Sequence, residues 1–442
     1  MTEPTGRGTG LRERLRELNQ RIEDNPPPGP FRRGFFRSPL RGPWLTSIFG
    51  FALLIGLPLM ILTGLLSYAA YNPRLGANDI TPARALLGFY FFDWPTSPSW
   101  LYRLNQGIHV TLGITLVPLI LAKLWSVIPK LFDWPPAKSL AQVLERVTIG
   151  LLVGSVIFEF ATGILNAQNY YPWKFSFYDA HLYGAWVFIG AFVSHIALKI
   201  PTMKRSLKTR SLRKELRTPL SATEPEALDP DALAPTDPVE PSLSRRGVLA
   251  LVGAGSVTLF ALTVGQTLGG KLRQTALLTP RGRIYGDKPN DFQINKTAAA
   301  VGIKAEQTGA GWRLQLNGPN PVALSREQLL AMPQHTEKLP IACVEGWSTV
   351  QEWTGVRLAD LAALAGFRAR GNLLVESLQD GGDFSRATLS HRQLTDTRSL
   401  LALKVNGADL ALDHGFPARV IVPAAPGVHN TKWVRAMTFG KG

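Results

Sequence analysis

Residues 44–68 read WLTSIFGFALLIGLPLMILTGLLSY, a stretch of 25 residues without a charged side chain. A helix rises about 1.5 Å per residue, so this stretch can cross the apolar core of a bilayer, which is about 30 Å thick. Further apolar runs follow near 104–128, 146–166, 182–200 and 247–268, and the last is weaker because it is rich in Gly, Thr and Ala. The sequence therefore predicts an all-α membrane bundle of four helices plus a fifth anchor helix.

Basic residues predict the orientation of these helices. The formal net charge of +16 would indicate nucleic-acid binding if it lay on one folded face. Instead, Lys and Arg lie beside the apolar runs, where they orient a chain in the bilayer. Residues 1–43 contain nine Arg and residues 199–217 contain eight Lys and Arg, whereas 71–103 and 167–181 contain few. We therefore expect a multi-pass protein of the cell membrane with a cytoplasmic N-terminus, an extracytoplasmic C-terminal domain and no nucleic-acid partner.

Composition divides the chain into five predicted segments. They are a basic cytoplasmic segment at 1–43, a four-helix membrane domain at 44–200, a basic and then Pro-rich, acidic linker at 201–246, the fifth helix at 247–269 and the extracytoplasmic domain at 270–442. In the first segment Leu11, Leu15, Leu18 and Ile22 recur at helical spacing, which predicts an amphipathic interfacial helix. Residues 218–241 contain few large apolar residues, so we expect them to be disordered.

The fifth helix is preceded by Ser244-Arg245-Arg246-Gly247-Val248-Leu249. This segment resembles a twin-arginine export signal, placed inside the chain rather than at its start. Such a signal carries a domain that has already folded around its cofactor across the membrane. The two arginines also fit a second interpretation, in which they are ordinary basic anchors at the cytoplasmic end of the helix.

Three histidines and one glutamate lie in the predicted bundle helices. Ionisable groups inside a membrane are rare and usually functional, and a haem in a helical bundle needs two imidazoles from facing helices. His109 lies in the outer half of the second helix, and His181 begins the fourth. His195 follows His181 by fourteen residues, which returns it to nearly the same helix face. Glu159, in the third helix, is a candidate for proton transfer at a quinol site or a neutral structural group.

The segment His181-Leu-Tyr-Gly-Ala-Trp through Ser194-His195 resembles the last helix of the di-haem cytochrome b subunits of bacterial hydrogenases and formate dehydrogenases. The resemblance implies that His109 and His181 ligate an outer haem b. In that family the inner haem pairs a first-helix histidine with the equivalent of His195, but residues 44–68 contain no histidine. The chain is therefore expected to hold one or two haems, and His195 ligates iron or faces a quinone or another polar partner.

The C-terminal domain is expected to be α+β or mostly β, without the periodicity of a parallel sheet. Its strand-like runs are Trp312–Leu316, Asn372–Ser377, Leu401–Val405 and Arg419–Val422, and its helical patterns are at 325–332 and 357–366. Cys343 is the only cysteine, which excludes a disulfide within the chain and a multi-thiolate metal cluster.

The segment Leu339-Pro-Ile-Ala-Cys-Val-Glu-Gly-Trp-Ser348 resembles the molybdenum-binding strand of molybdopterin enzymes with the sulfite-oxidase fold. The resemblance continues through Glu352–Leu358, Glu376–Asp380, Asn406-Gly407, His414-Gly-Phe-Pro-Ala-Arg419 and Gly427 to Trp433. It implies that the Cys343 thiolate is the catalytic ligand of molybdenum and that a molybdopterin cofactor is bound. The implied cofactor-binding residues are Ser377, His414, Arg419, Asn430, Thr431 and Lys432, with Asn295 as a weaker candidate. Backbone N–H groups at glycine turns and basic side chains are suited to the pterin phosphate.

The residues after the cysteine bear on the reaction. Sulfite oxidases of this fold place Arg there, which suits a dianionic substrate, but here Val344 to Ser348 contain none. This part of the chain is closer to the branch that resembles the periplasmic methionine sulfoxide reductase. We therefore expect oxygen-atom transfer from a sulfoxide or related oxo-substrate, with electrons drawn from membrane quinol through haem. Two alternatives stay open: a dehydrogenase that oxidises sulfite or a similar donor and reduces quinone, and a non-catalytic haem-binding anchor or assembly protein.

Overall fold

A computed structural model describes residues 20, 24–32, 34–78, 92–135, 140–229, 233–368 and 370–440. The apolar residues of the predicted amphipathic helix, Leu11, Leu15, Leu18 and Ile22, lie outside the described residues. Five helical segments are long and apolar enough to cross a membrane: Pro43–Tyr71, Leu101–Leu131, Gln142–Ala167, Phe177–Leu207 and Arg245–Leu268. The predicted architecture, a helical membrane part followed by a sheet-rich domain, is confirmed.

The helices are numbered in chain order. They are α1 Pro43–Tyr71, α2 Leu101–Leu131, α3 Leu140–Ala167, α4 Phe177–Leu207, α5 Leu212–Glu215, α6 Arg245–Ala261, α7 Gly265–Leu268, α8 Arg326–Ala331, α9 Leu358–Leu364 and α10 His391–Thr395. The membrane helices extend beyond the apolar runs, because polar residues in their end turns bond to protein. Arg103 in the first turn of α2, for example, donates to the Thr267 carbonyl at 2.7 Å.

Two five-stranded sheets form the C-terminal domain. The strands are β1 Leu314–Asn317, β2 Val322–Leu324, β3 His335–Ala342, β4 Ser348–Arg357, β5 Leu373–Ser377, β6 Arg386–Leu389, β7 Leu400–Val405, β8 Ala408–Asp409, β9 Arg419–Ile421 and β10 Val434–Phe439. One sheet has the order β2-β1-β10-β5-β6, and the other has β3-β4-β7-β8 with β9 also paired to β7. The β1–β10 pair is parallel and the other pairs are antiparallel. The strand-like and helical runs predicted in this domain are confirmed.

The chain divides into two compact units whose border runs through the membrane helices. The first unit consists of residues 1–57, 115–160 and 183–257, and the second of residues 58–114, 161–182 and 258–442. In the second unit, the residues between α1 and α2 bond to the sheet domain. Asn78 exchanges two hydrogen bonds of 2.8 Å with the backbone of Thr388, and Trp94 donates to the Ala424 carbonyl at 2.7 Å. The described residues between α1 and α2 are thus part of the same packed body as the sheets.

In the first unit, the linker residues are folded rather than disordered. Arg245 is 1% exposed and pairs with Glu226 at 2.9 Å and Glu215 at 3.5 Å. Arg210 pairs with the same two carboxylates at 3.2 and 3.3 Å. The prediction of disorder over 218–241 is therefore wrong for the described part of that stretch. Composition misled the prediction because Glu226, within this stretch, completes a buried ion-pair cluster with Arg210, Arg245 and Glu215. A buried charge is costly to leave unpaired.

Candidate molybdenum and haem sites

Cys343 is the first residue of the loop that joins β3 to β4. Its N–H donates to the Trp347 carbonyl and its carbonyl accepts from Gly346 N–H, both at 3.0 Å, which closes a tight turn. Gly346 has φ +90°, a conformation that favours glycine. The Cys343 side chain is buried, and burial together with the Glu345 carboxylate raises the pKa of its thiol, while Arg281 opposes this. A thiol in this environment becomes a thiolate only with a cation or metal bound against it.

Arg281 was not anticipated from the sequence, since it lies far from the cysteine in the chain and belongs to no motif. It makes a two-point ion pair with Glu345, at 2.9 and 2.7 Å. Trp347 Nε1 also donates to Glu345, at 2.8 Å. The guanidinium that approaches Cys343 is therefore already neutralised by a carboxylate of the same loop.

Three predicted cofactor residues form a buried basic group at the loops around β9. Gly415, with φ +108°, lets the loop pass so closely that a Cβ there would lie 3.1 Å from both Arg419 and Lys432. Arg419 Nη1 donates to the His414 carbonyl at 3.0 Å, and Lys432 Nζ donates to the Asp413 carbonyl at 2.9 Å. Neither cation has a carboxylate partner among the described residues. The structure thus brings together His414, Arg419 and Lys432.

Burial lowers the pKa of each of these groups. The pKa of Lys432 falls to about 6, through burial and then the charge of Arg419. Burial lowers the pKa of Arg419 to about 9. Burial and then Arg419 lower the pKa of His414 to about 4, and its Nε2 lies 2.8 Å from the Asn290 carbonyl. Burial lowers the pKa of these basic groups and so favours their neutral forms. An anion bound between them would raise the pKa again and favour the charged forms.

Several buried polar atoms beside this group lack a hydrogen-bond partner within the part of the chain that the structure describes. They are Arg419 Nε, Thr431 Oγ1 and both ring nitrogens of His429. Asn430 Oδ1 accepts from Val422 N–H at 2.8 Å, so it braces the loop rather than pointing outward. Unsatisfied buried donors are rare in native structures unless a ligand or ion completes them. The arrangement can therefore hold an anionic group such as a phosphate.

Ser377 and Asn295 lie at the edge of this region. The Ser377 hydroxyl donates to the Lys432 carbonyl at 2.8 Å, so in this structure it ties β5 to the closing loop. Asn295 Oδ1 accepts from Lys296 N–H at 2.8 Å, and the Lys296 carbonyl accepts from Lys432 Nζ. Both residues are thus within one contact of Lys432, and their roles toward a cofactor stay predictions.

His109 on α2 and His181 on α4 face each other in the second unit, with ring centroids 6.4 Å apart and planes at 83°. Thr63 Oγ1 lies 3.0 Å from His109 Nδ1, and Thr162 Oγ1 lies 3.1 Å from His181 Nδ1. The Thr63 hydroxyl donates to the Leu59 carbonyl at 2.8 Å, so its oxygen accepts from the N–H of His109. This bond to Thr63 leaves Nε2 of His109 as the ring nitrogen that can accept.

Glycines accompany both threonines. A Cβ on Gly64 would lie 3.2 Å from His109 Cε1, and one on Gly163 would lie 3.5 Å from His181 Cε1. The same arrangement therefore occurs twice: a Thr-Gly pair on α1 contacts His109 on α2, and a Thr-Gly pair on α3 contacts His181 on α4.

His195 and Glu159 lie in the first unit. His195 lines a cavity between α1, α2, α3 and α4. Glu159 packs against Gly184 of α4, where a Cβ would lie 2.2 Å from its Oε1. Glu159 does not line that cavity, so its role in proton transfer stays a prediction.

The cysteine loop contacts the helix that carries His109. Gln106 Nε2 on α2 donates to the Val344 carbonyl at 2.8 Å, and Ser67 holds the other end of that amide at 2.9 Å. A Cβ on Gly346 would lie 2.7 Å from Val110 Cβ, so the loop backbone rests directly on α2. The two contacts of the loop with α2 join sequence positions more than two hundred apart, and no local pattern could have indicated them.

Comparison with known proteins assigns the sheet domain. Residues 300–441 match the model of the oxidoreductase molybdopterin binding domain. An uncharacterized oxidoreductase, YuiH, of Bacillus subtilis is 34% identical over 133 residues, 29% of this chain and 66% of that protein. Mitochondrial sulfite oxidase of Rattus norvegicus is 31% identical over 143 residues, 26% of each chain. A putative protein-methionine-sulfoxide reductase subunit, YedZ1, of Azospira oryzae is 28% identical over 136 residues, 30% of this chain and 50% of that protein.

Residues 300–441 are therefore a molybdopterin-binding oxidoreductase domain, which confirms the enzyme class predicted for this part of the chain. The alignments span between about a quarter and just under two thirds of the length of these relatives.

Proposed function

We propose that this chain is a membrane-bound molybdenum-cofactor oxidoreductase. It exchanges electrons between the quinone pool and an extracytoplasmic substrate through haem b, in the direction that reduces a sulfoxide or a related oxo-substrate. The observation that carries this proposal is the contact between the Cys343 loop and α2, beside His109. A bound molybdenum cofactor supplies oxygen-atom transfer, and a bound haem supplies one-electron transfer.

The residues around β9 fit the molybdenum cofactor. Arg419, Lys432 and Thr431 offer buried donors without carboxylate partners among the described residues, as a phosphate requires. Cys343 presents a soft sulfur ligand at the end of β3. Arg419, Lys432 and Thr431 would bind the phosphate, and Cys343 would bind the metal.

The two bundle histidines fit a haem iron. Bonds of about 2 Å from a metal to each of two imidazole nitrogens put the ring centroids roughly 6 Å apart. The centroids of His109 and His181 are 6.4 Å apart, in agreement with that requirement. Thr63 and Thr162 would fix the ring orientations, as second partners of ligating histidines usually do.

The charges around Cys343 favour the reductase direction. Sulfite is a dianion and needs an uncompensated cation at the substrate site. Arg281, the guanidinium that approaches Cys343, is bound at two points by Glu345, so its charge is cancelled. A neutral sulfoxide does not require that charge. Similarity to a protein named as a putative protein-methionine-sulfoxide reductase subunit supports the same direction.

The test uses purified full-length protein whose haem has been reduced chemically and then freed of excess reductant. We expect anaerobic addition of a methionine-sulfoxide-containing protein to reoxidise the haem, seen as loss of its reduced absorption band. Cys343→Ser should abolish reoxidation and leave the haem spectrum intact, because Cys343 would ligate molybdenum and not the haem iron. Sulfite-driven reduction of oxidised haem, without reoxidation by sulfoxide, would instead establish the dehydrogenase alternative.

A further inference from the structure

A cavity of about 220 Å³ lies between α1, α2, α3 and α4 in the first unit. It is larger than a packing defect that holds one or two water molecules. Its wall is mostly apolar and includes Leu53, Leu57, Ile120, Phe188 and Phe192. Among its polar lining residues are Lys123 on α2 and His195 on α4, which face one apolar space.

The positions of Lys123 and His195 repeat those of the histidine pair. Lys123 follows His109 by fourteen residues, and His195 follows His181 by fourteen, so each lies on the same face of its helix as the first residue. Gly50 likewise precedes Gly64 by fourteen residues, and a Cβ on Gly50 would lie 3.2 Å from Lys123 Nζ. One repeat of this fourteen-residue spacing therefore pairs two imidazoles, and the other pairs the Lys123 amine with the His195 imidazole. Among the lining residues, His195 is the only histidine.

The hydrogen-bonding capacity of the cavity indicates its ligand. Lys123 Nζ donates to the Thr46 carbonyl at 2.8 Å, which leaves further protons of the ammonium for another acceptor. His195 makes no hydrogen bond within the part of the chain that the structure describes. The one carboxylate of the lining, Glu145, pairs with Lys199 at 3.3 Å. A ligand that fits has two oxygen acceptors on a flat ring and a long apolar substituent.

We infer that this cavity binds the head group of the membrane quinone, with one ring oxygen on Lys123 and the other on His195. The inference rests on the proposed quinone-linked function and assigns its binding site. Oxidation of the bound quinol breaks its two O–H bonds and releases two protons and two electrons. His195 would accept one proton, the other would leave the cavity to solvent, and a bound haem would take the electrons one at a time.

The test measures binding of decylubiquinone to the purified full-length protein in nanodiscs by calorimetry. Lys123→Gln and His195→Leu should each weaken binding about tenfold or more, the usual effect of losing a hydrogen bond to a charged or buried group. Leu54→Trp, which fills the cavity without removing a polar group, should also abolish binding. Lys204→Gln, an exposed lysine on α4 outside the lining, is the matched control and should bind as the unmodified protein does.

Two further measurements separate this inference from the proposed function: haem content, and sulfoxide-driven reoxidation of chemically reduced haem. Neither depends on quinone binding in the cavity. Both should be unchanged in all the variants. Unaltered quinone binding in Lys123→Gln and His195→Leu would overturn the inference, as would loss of one haem per chain, which would make the cavity a second haem site. An anionic phospholipid retained by the unmodified protein and lost from Lys123→Gln would overturn it too. Failure of reoxidation in the unmodified protein would contradict the proposed function alone.

Discussion

At the scale of single residues, the threonines behind the two bundle histidines have a defined task. The hydroxyl proton of Thr63 is donated to the Leu59 carbonyl, so the hydroxyl oxygen accepts a hydrogen bond from His109 Nδ1. We expect Thr63→Val to loosen the ring and weaken haem retention roughly tenfold to a hundredfold, as loss of such partners does at other metal sites. The rate of haem transfer to apomyoglobin measures the effect, and Thr63→Ser should restore retention.

Thr148 provides the control for this prediction. It is half-buried on α3, and its hydroxyl donates to the Leu144 carbonyl of its own helix at 2.8 Å. Thr148→Val removes the same group from a membrane helix without touching a histidine. Equal haem loss in Thr63→Val and Thr148→Val would mean that the threonine–histidine bond has no part in haem retention.

Lys432 makes the stability of the cofactor-free protein depend on pH. Its pKa in the folded state is about 6, below the value of about 10.5 of the free side chain. Between these values the unfolded chain binds a proton that the folded chain does not, so stability rises with pH from about 6 to 10.5, by at most about 1.4 kcal/mol per pH unit from this group. Protein made without molybdopterin should therefore melt at a higher temperature at pH 8.5 than at pH 7.

Lys432→Met identifies the source of that pH dependence. Methionine fills a similar space and cannot titrate, so the difference in melting temperature between pH 7 and pH 8.5 should shrink. The same variant should fail to retain the cofactor, because the phosphate loses a cation. A difference in melting temperature that persists unchanged would assign the pH dependence to other groups, such as Arg419, whose pKa is about 9.

At the scale of elements, the β3–β4 hairpin connects Cys343, the proposed metal ligand, to the membrane helix α2. Gly346 has φ +90° and its backbone rests on Val110 of α2, so any Cβ there adds both backbone strain and a contact of 2.7 Å. We expect Gly346→Ala to displace the Cys343 loop and slow sulfoxide-driven haem reoxidation roughly tenfold or more, since small misplacements of reacting groups are costly. The haem spectrum should not change, because the histidines are untouched.

Gly311→Ala is the matched control for this hairpin. Gly311 has open space around it and no positive φ, so an added methyl meets nothing. Its reoxidation rate should equal that of the unmodified protein. A normal reoxidation rate in Gly346→Ala would show that electron flow between the haem and the molybdenum cofactor does not need the packing of the loop on α2.

The sequence could predict elements better than their contacts. The membrane helices follow from long apolar runs, and strands such as β5 and β7 follow from β-branched and leucine-rich runs bounded by turns. The candidate cofactor residues His414, Arg419 and Lys432 could be named because the family resemblance places them in one short segment. Gln106 and Arg281 could not, since each reaches the Cys343 loop from a distant part of the chain and carries no local signal.

At the scale of the whole molecule, acidic residues of the linker neutralise part of the basic charge from which the membrane orientation is predicted. Glu215 and Glu226 bury and neutralise Arg210 and Arg245, so two of the cations that predict orientation are structural. Arg246 is exposed and keeps its charge at the surface. An export function for the Arg245-Arg246 pair therefore requires that recognition occur before Arg245 is enclosed in this ion-pair cluster.

Orientation in the membrane can be tested with the single native cysteine as a silent background, because Cys343 is buried. Glu240 and Glu306 are exposed and lie on the two sides of the span Arg245–Leu268. Basic residues are retained on the cytoplasmic side, so we expect Glu240 to lie inside and Glu306 outside. A membrane-impermeant maleimide should label Glu306→Cys in intact spheroplasts and Glu240→Cys only in inverted vesicles. The reverse pattern would invert the predicted topology, and labelling of both from one side would mean that Arg245–Leu268 does not cross the bilayer.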